Sequence, residues 1–164
     1  MNQSYDGVIN NLIEFHKRVN LLPETLYLTV NIFRQFLSVE QAADYDDLLL
    51  IGVTPMFIAF KYKQEANPIS IADFCYIANC TFTKEEIIQK EFEILNIFQD
   101  DLSYPNPIQF LERLLKEANA DERTCKLSHY SMEISLVDNQ LSLFPSSYLA
   151  DSAFYFAQRI QGYS

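Results

Sequence analysis

The chain has 164 residues, 22 of them acidic and 12 basic, for a formal net charge of −10. That length suits one compact domain, or one domain with part of a second. An apolar content of 49% excludes an intrinsically disordered chain, and three glycines with six prolines are too few turn-formers for an all-β sandwich or barrel. So acidic a balance also leaves no basic patch to neutralise phosphates, which argues against nucleic acid and anionic membranes as partners.

The first predicted helix runs from about Asp6 to Val19, with Val8, Leu12, Phe15 and Val19 forming one amphipathic stripe. The chain breaks near Asn20. Pro23 followed by Glu24 then starts a second helix to about Leu37, because a first-turn proline forfeits no needed hydrogen bond and the acid faces the positive end of the helix dipole. Acidic residues across Asp44–Asp47 cap a third helix to about Tyr62. This helix is apolar nearly all round (Leu48, Ile51, Val53, Phe57), so it is expected at the centre of the fold. Asn67-Pro68 marks a turn, and a short fourth helix is expected over Ser70–Asn79. Thr83 and Glu86 have the spacing of a capping box, opening a fifth helix to about Phe98. Beyond the two-proline connector from Asp101 to Pro107, three more helices are expected near Ile108–Ala118, Cys125–Val137 and Pro145–Ile160. The fold class read from these elements is all-α.

The most apolar run, Leu48–Phe60, falls short of the ~18 residues that a membrane span requires, and the polar opening Met1–Asp6 is no signal peptide. The expectation is an intracellular protein, nuclear and/or cytoplasmic, that is not secreted and has no membrane partner. Cys75, Cys80 and Cys125 show no C-x-x-C spacing, and His16 and His129 lie far apart. No metal site and no disulfide framework is therefore expected. Nucleophile, phosphate-loop and dinucleotide motifs are absent, so no catalytic residues and no cofactor are expected. Acid pairs such as Asp46-Asp47, Glu85-Glu86 and Asp100-Asp101 sit at predicted helix ends, where capping accounts for them.

Two further features bear on organisation. Gly52 and Ala59 on the third helix recur 98 positions later as Ala150 and Ala157, and the same offset places Glu14 on Glu112. Small residues so spaced let neighbours approach a central helix closely, which suggests an internal helical repeat, with coincidence as the alternative. Lys61 ends the mostly apolar row Leu50, Thr54, Phe57, and Glu91 stands one turn from Ile87 beside Phe92. Each could be a surface charge whose stem merely covers apolar area, or the two could pair with each other or with a partner's backbone.

Taken together, these stretches resemble a cyclin. Leu22-Pro23-Glu24-Thr25-Leu26-Tyr27-Leu28 resembles the second helix of a cyclin box, and Leu50-Ile51-Gly52-Val53-Thr54 with Ile58-Ala59-Phe60-Lys61-Tyr62 its central third helix. Thr81-Phe82-Thr83-Lys84-Glu85-Glu86-Ile87 resembles the start of the fifth helix. Asp101-Leu102-Ser103-Tyr104-Pro105 resembles the junction to a second repeat, and Glu133-Ile134-Ser135-Leu136 the second repeat of an A- or B-type mitotic cyclin. The resemblance covers almost the whole chain. It implies a complete five-helix cyclin box over residues 1–104 and a partial repeat of about three helices over residues 105–164. It also implies a non-enzymatic regulatory subunit that forms a heterodimer with a cyclin-dependent protein kinase and activates or targets it in cell-cycle control. A degenerate cyclin-box scaffold that activates no kinase is the alternative.

By the resemblance, Lys61 and Glu91 are the polar kinase-binding residues, accompanied by Ile58, Tyr62, Leu95 and, in the junction, Leu102. Several positions depart from the family. The Met-Arg-Ala-Ile-Leu opening and following Trp that build the substrate-docking patch are replaced by Ser4-Tyr5-Asp6-Gly7-Val8 and Asn11. Val8, Asn11 and Glu14 are therefore expected to form only a degenerate patch. The family's buried arginine–aspartate pair is replaced at both ends, by Tyr5 and Arg34. Pro55 and Phe60 are unusual in the third helix. A second repeat of only three helices would leave Phe154 and Phe156 short of cover, for which self-association through that truncated repeat is one remedy.

Overall fold

A computed structural model of the chain describes residues 2–42, 44–63, 69–78, 81–99, 101–138 and 140–162. Cys80, Asp100 and the turn expected at Asn67-Pro68 lie outside the described residues. Among those described there are eight α-helices and no strand, divided between two compact units, Met1–Tyr104 and Pro105–Ser164.

The first unit holds α1 (Asn2–Val19), α2 (Pro23–Val39), α3 (Tyr45–Lys63), α4 (Ile71–Ala78) and α5 (Lys84–Phe98). The local signals act as their chemistry dictates. Pro23 occupies the first turn of α2, and the Asp44 carboxylate accepts the Asp47 amide at 2.9 Å to cap α3. The Thr83 hydroxyl accepts the Glu86 amide at 3.3 Å while the Glu86 carboxylate accepts the Thr83 amide at 2.7 Å, a complete capping box. Those Thr83 hydrogen bonds hold the Glu86 carboxyl below its ordinary pKa. The first helix begins at Asn2, ahead of Asp6, because the helical turns run through Gly7 without a break.

The third helix is central, packing on α1, α2 and α5. From Ile51 to Phe60 every residue but Val53 is buried, and the helix continues through Pro55. The closest approach is at Gly52, where an added Cβ would lie 2.5 Å from Val8 Cγ1 of α1. Between α2 and α3 the Thr29 hydroxyl donates to the Thr25 carbonyl at 2.7 Å and to Met56 Sδ at 3.4 Å.

Tyr5 and Arg34 do meet: Arg34 Nε donates to the Tyr5 hydroxyl at 2.7 Å, with the Tyr5 ring stacked 5.3 Å from Phe33. Burial pushes the Tyr5 phenol above its usual pKa, against the pull of Arg34. The guanidinium thus has a neutral phenol as its acceptor across the seam between α1 and α2.

The second unit comprises α6 (Pro107–Glu117), α7 (Glu122–Val137), a 3-10 turn at Leu141–Leu143 and α8 (Ser146–Ile160). The seventh helix starts at Glu122, before Cys125, because Asp121 caps it by accepting the Thr124 amide at 2.7 Å. The last helix packs on α6 and α7 through Ala150, Ala153 and Ala157. It stands in its unit as α3 does in the first, and all four small residues of the 98-residue offset are buried. Burial of all four suits an internal repeat. Phe154 is half-buried and Phe156 is 55% exposed.

Candidate functional site

Lys61 lies in the last turn of α3, and Glu91 is in the middle of α5. Both elements are fixed by apolar residues beside the charges: Phe57, Ile58 and Phe60 anchor the end of α3, and Ile87 and Ile94 anchor α5. The two helices pack together, so two residues 30 positions apart meet: Lys61 Nζ donates to Glu91 Oε1. The ammonium also lies 4.6 Å from the Phe57 ring centroid, a cation–π contact. The Lys61 side chain is 44% exposed and that of Glu91 13%, so the pair opens on the surface while its acid is set into it.

Tyr62, 48% exposed, follows directly, with Lys63 Nζ 5.5 Å from its ring centroid. Leu95 is half-buried one turn beyond Glu91. On the outer face of α5, Phe92 is 63% exposed and Ile88 46%. The structure thus brings Lys61 and Glu91 into contact, with Tyr62 and Leu95 next to them in their helices. Ile58 and Leu102, at 3% and 7% exposure, lie beneath the surface. Sequence reasoning passed over Lys90, which pairs with Asp47 at 3.3 Å and with Glu93 at 2.9 Å. Its only sequence signal is a Lys–Glu spacing of three on a helix rich in acids.

The chemical capacity of this surface is recognition. An ammonium has three donors and a carboxylate two acceptor oxygens, so the pair retains hydrogen-bonding capacity for a third group. Among the described residues no three metal-ligating side chains come together, and no helix is long and apolar enough to cross a membrane.

The three residues of the degenerate patch line one groove of about 310 Å³, together with Leu49, Val53 and Phe82. Val8, 1% exposed, is spent on the contact with Gly52, while Asn11 and Glu14 are exposed on the rim.

The family description "Cyclin, N-terminal domain" matches residues 4–103, and "Cyclin, C-terminal domain" matches residues 105–163. The G2/mitotic-specific cyclin-B of Emericella nidulans is 44% identical over 153 residues, which is 93% of this chain and 32% of that protein. The G2/mitotic-specific cyclin cdc13 of Schizosaccharomyces pombe is 40% identical over 157 residues, covering 95% of this chain and 32% of its own length. This chain therefore spans about a third of the length of those relatives. Among solved structures, a viral cyclin from herpesvirus saimiri superposes with a TM-score of 0.87 at 16% identity, over 100% of this chain and 72% of that one. A chain of the yeast RNA polymerase II CTD kinase complex CTDK-1 superposes with a TM-score of 0.83 at 14% identity, over 99% of this chain and 56% of that one. Two cyclin descriptions matched in tandem, B-type mitotic relatives at this identity and the same helical fold lead to one conclusion: the chain belongs to the cyclin family.

Proposed function

We propose that this chain is the regulatory subunit of a cyclin-dependent protein kinase, which it binds as a heterodimer and activates or targets in cell-cycle control. The observation that carries the reading is the Lys61–Glu91 pair, half open to solvent where α3 and α5 meet, in a chain whose relatives are mitotic cyclins. A partner's peptide group can accept from the remaining Lys61 donors and donate to Glu91. Tyr62 and Leu95 supply apolar contact around that polar centre, and Ile58 and Leu102 are the buried members of the set. The chain contributes no catalytic group in this reading. It binds one of two positions of a mobile kinase element more tightly, and shifts that equilibrium by the difference in affinity. Because the groove at Val8, Asn11 and Glu14 lacks the family's patch residues, docking of Arg-x-Leu substrates is weak or absent.

The test is stimulation of a purified cyclin-dependent kinase by the full chain. Lys61→Ala or Glu91→Ala should each cut stimulation by roughly ten-fold or more, as for a residue at the centre of an interface. Stimulation that survives both changes would sink the reading. Tight binding with no stimulation by the unaltered chain would favour the scaffold alternative.

A further inference from the structure

In the fifth helix only Ile87 and Ile94 are fully buried, both at 0% exposure, with Leu95, Ile97 and Phe98 half-buried further along. Seven residues apart, they lie on nearly one line along the helix, a hinge about which α5 could roll. At about 100° per residue, Lys90 and Glu91 stand roughly 50° to either side of that line. Each reaches a different end of α3. Lys90 Nζ is 3.3 Å from Asp47 in the first turn, and Glu91 pairs with Lys61 in the last.

We infer that Lys90 is a positioning residue: by tying α5 to the start of α3, it sets the roll that presents Glu91 to Lys61 and to a partner. Its surroundings suit the task. The side chain is only 16% exposed, with its ammonium 2.9 Å from Glu93 and 5.8 Å from the Phe36 ring centroid of α2. One side chain therefore engages α2, α3 and its own helix. Burial opposes its charge, yet the hydrogen bonds to Glu93 and Asp47 raise its pKa above the ordinary lysine value, so it stays a cation. Without it, the roll of α5 about the two isoleucines is less constrained, and Glu91 shifts relative to Lys61.

The inference rests on the proposed kinase-binding role of Lys61 and Glu91, and the experiment separates the two. Binding of a purified cyclin-dependent kinase to the full chain is measured for Lys90→Met, Lys90→Arg and Asp47→Asn, each in the native and the Glu91→Ala background, with thermal midpoints recorded in parallel. Lys90→Met and Asp47→Asn should weaken binding about five-fold in the native background and less than about two-fold in the Glu91→Ala background, because they act through Glu91. Lys90→Arg keeps the charge and should restore native affinity. Equal fold-losses in both backgrounds, or no loss with Lys90→Met, overturn the positioning role even where Glu91→Ala itself weakens binding as the site reading requires. If Lys61→Ala and Glu91→Ala bind like the native chain, the site reading fails, and this inference with it.

Discussion

Gly52→Ala tests the geometry at the heart of the first unit. The new Cβ would lie 2.5 Å from Val8 Cγ1, with Phe33 Cε2 at 3.8 Å and Leu12 Cδ1 at 3.9 Å closing the remaining space. Val8 is 1% exposed and branched at Cβ, so it has no free rotamer into which to retreat. Relieving the overlap means separating α1 from α3, an overpacking cost of about 1–3 kcal/mol. Against it stands the gain of about 1 kcal/mol from replacing glycine by alanine within a helix. Because neighbours close both sides of the site, the upper part of the cost should apply, for a net loss of about 1–2 kcal/mol. Thermal unfolding followed by circular dichroism should show a midpoint lower by roughly 2–8 °C. Val8→Ala removes the obstructing methyl groups, so the double variant should be more stable than the sum of the single effects by about 1–2 kcal/mol. A Gly52→Ala chain as stable as the native one, or strictly additive effects, would refute the close approach.

Two other outcomes follow from features already described. Thr83→Ala removes the hydroxyl that donates to Glu86 but keeps the backbone amide that lowers its pKa most, so the Glu86 pKa, read by NMR titration, should rise only part of the way to the ordinary carboxylate value. A depressed folded pKa adds stability that is present above the unfolded pKa and lost as pH falls through the folded one, so the variant's deficit relative to the native chain should shrink in acid. Separately, on the proposed reading of the groove, a fluorescent Arg-x-Leu peptide titrated with the full chain should show at most weak binding, since Val8 is buried and the exposed rim is the polar Asn11 and Glu14. Tight, saturable polarisation would contradict that.

Much of the architecture was legible because it is written in short-range chemistry. Pro23, Asp44 and the Thr83–Glu86 box act within three or four residues of themselves, and they start helices where the sequence places them. Apolar periodicity alone places the starts of α6 and α7 at Ile108 and Cys125, whereas the caps Asn106 and Asp121 bring them forward to Pro107 and Glu122. The 3-10 turn at Leu141–Leu143 is too short to carry a period. The pairing of Lys61 with Glu91 spans 30 positions, and spacing alone left it open; the likeness to cyclins singled out both residues. Nothing comparable drew attention to Asp47 and Lys90, whose proximity arises only once α3 and α5 pack together. Burial of Ile58 was hidden for a related reason: an apolar residue beside a surface lysine reads the same in one dimension whether it faces outward or in.

The bond from Arg34 to Tyr5 has a bearing on how the first unit would come apart. With the phenol pushed upward by burial, the acceptor end of that bond keeps its proton on the way into acid. The fifth helix has no such immunity. Its cap relies on Glu86, kept ionised by Thr83, and Glu93 is held below the ordinary carboxylate range chiefly by the hydrogen bond from Lys90. As pH falls through those lowered values, both fastenings slacken, whereas the lock between the first two helices stays shut. Within the first unit, acid should accordingly loosen the α5 edge before the seam between the first two helices.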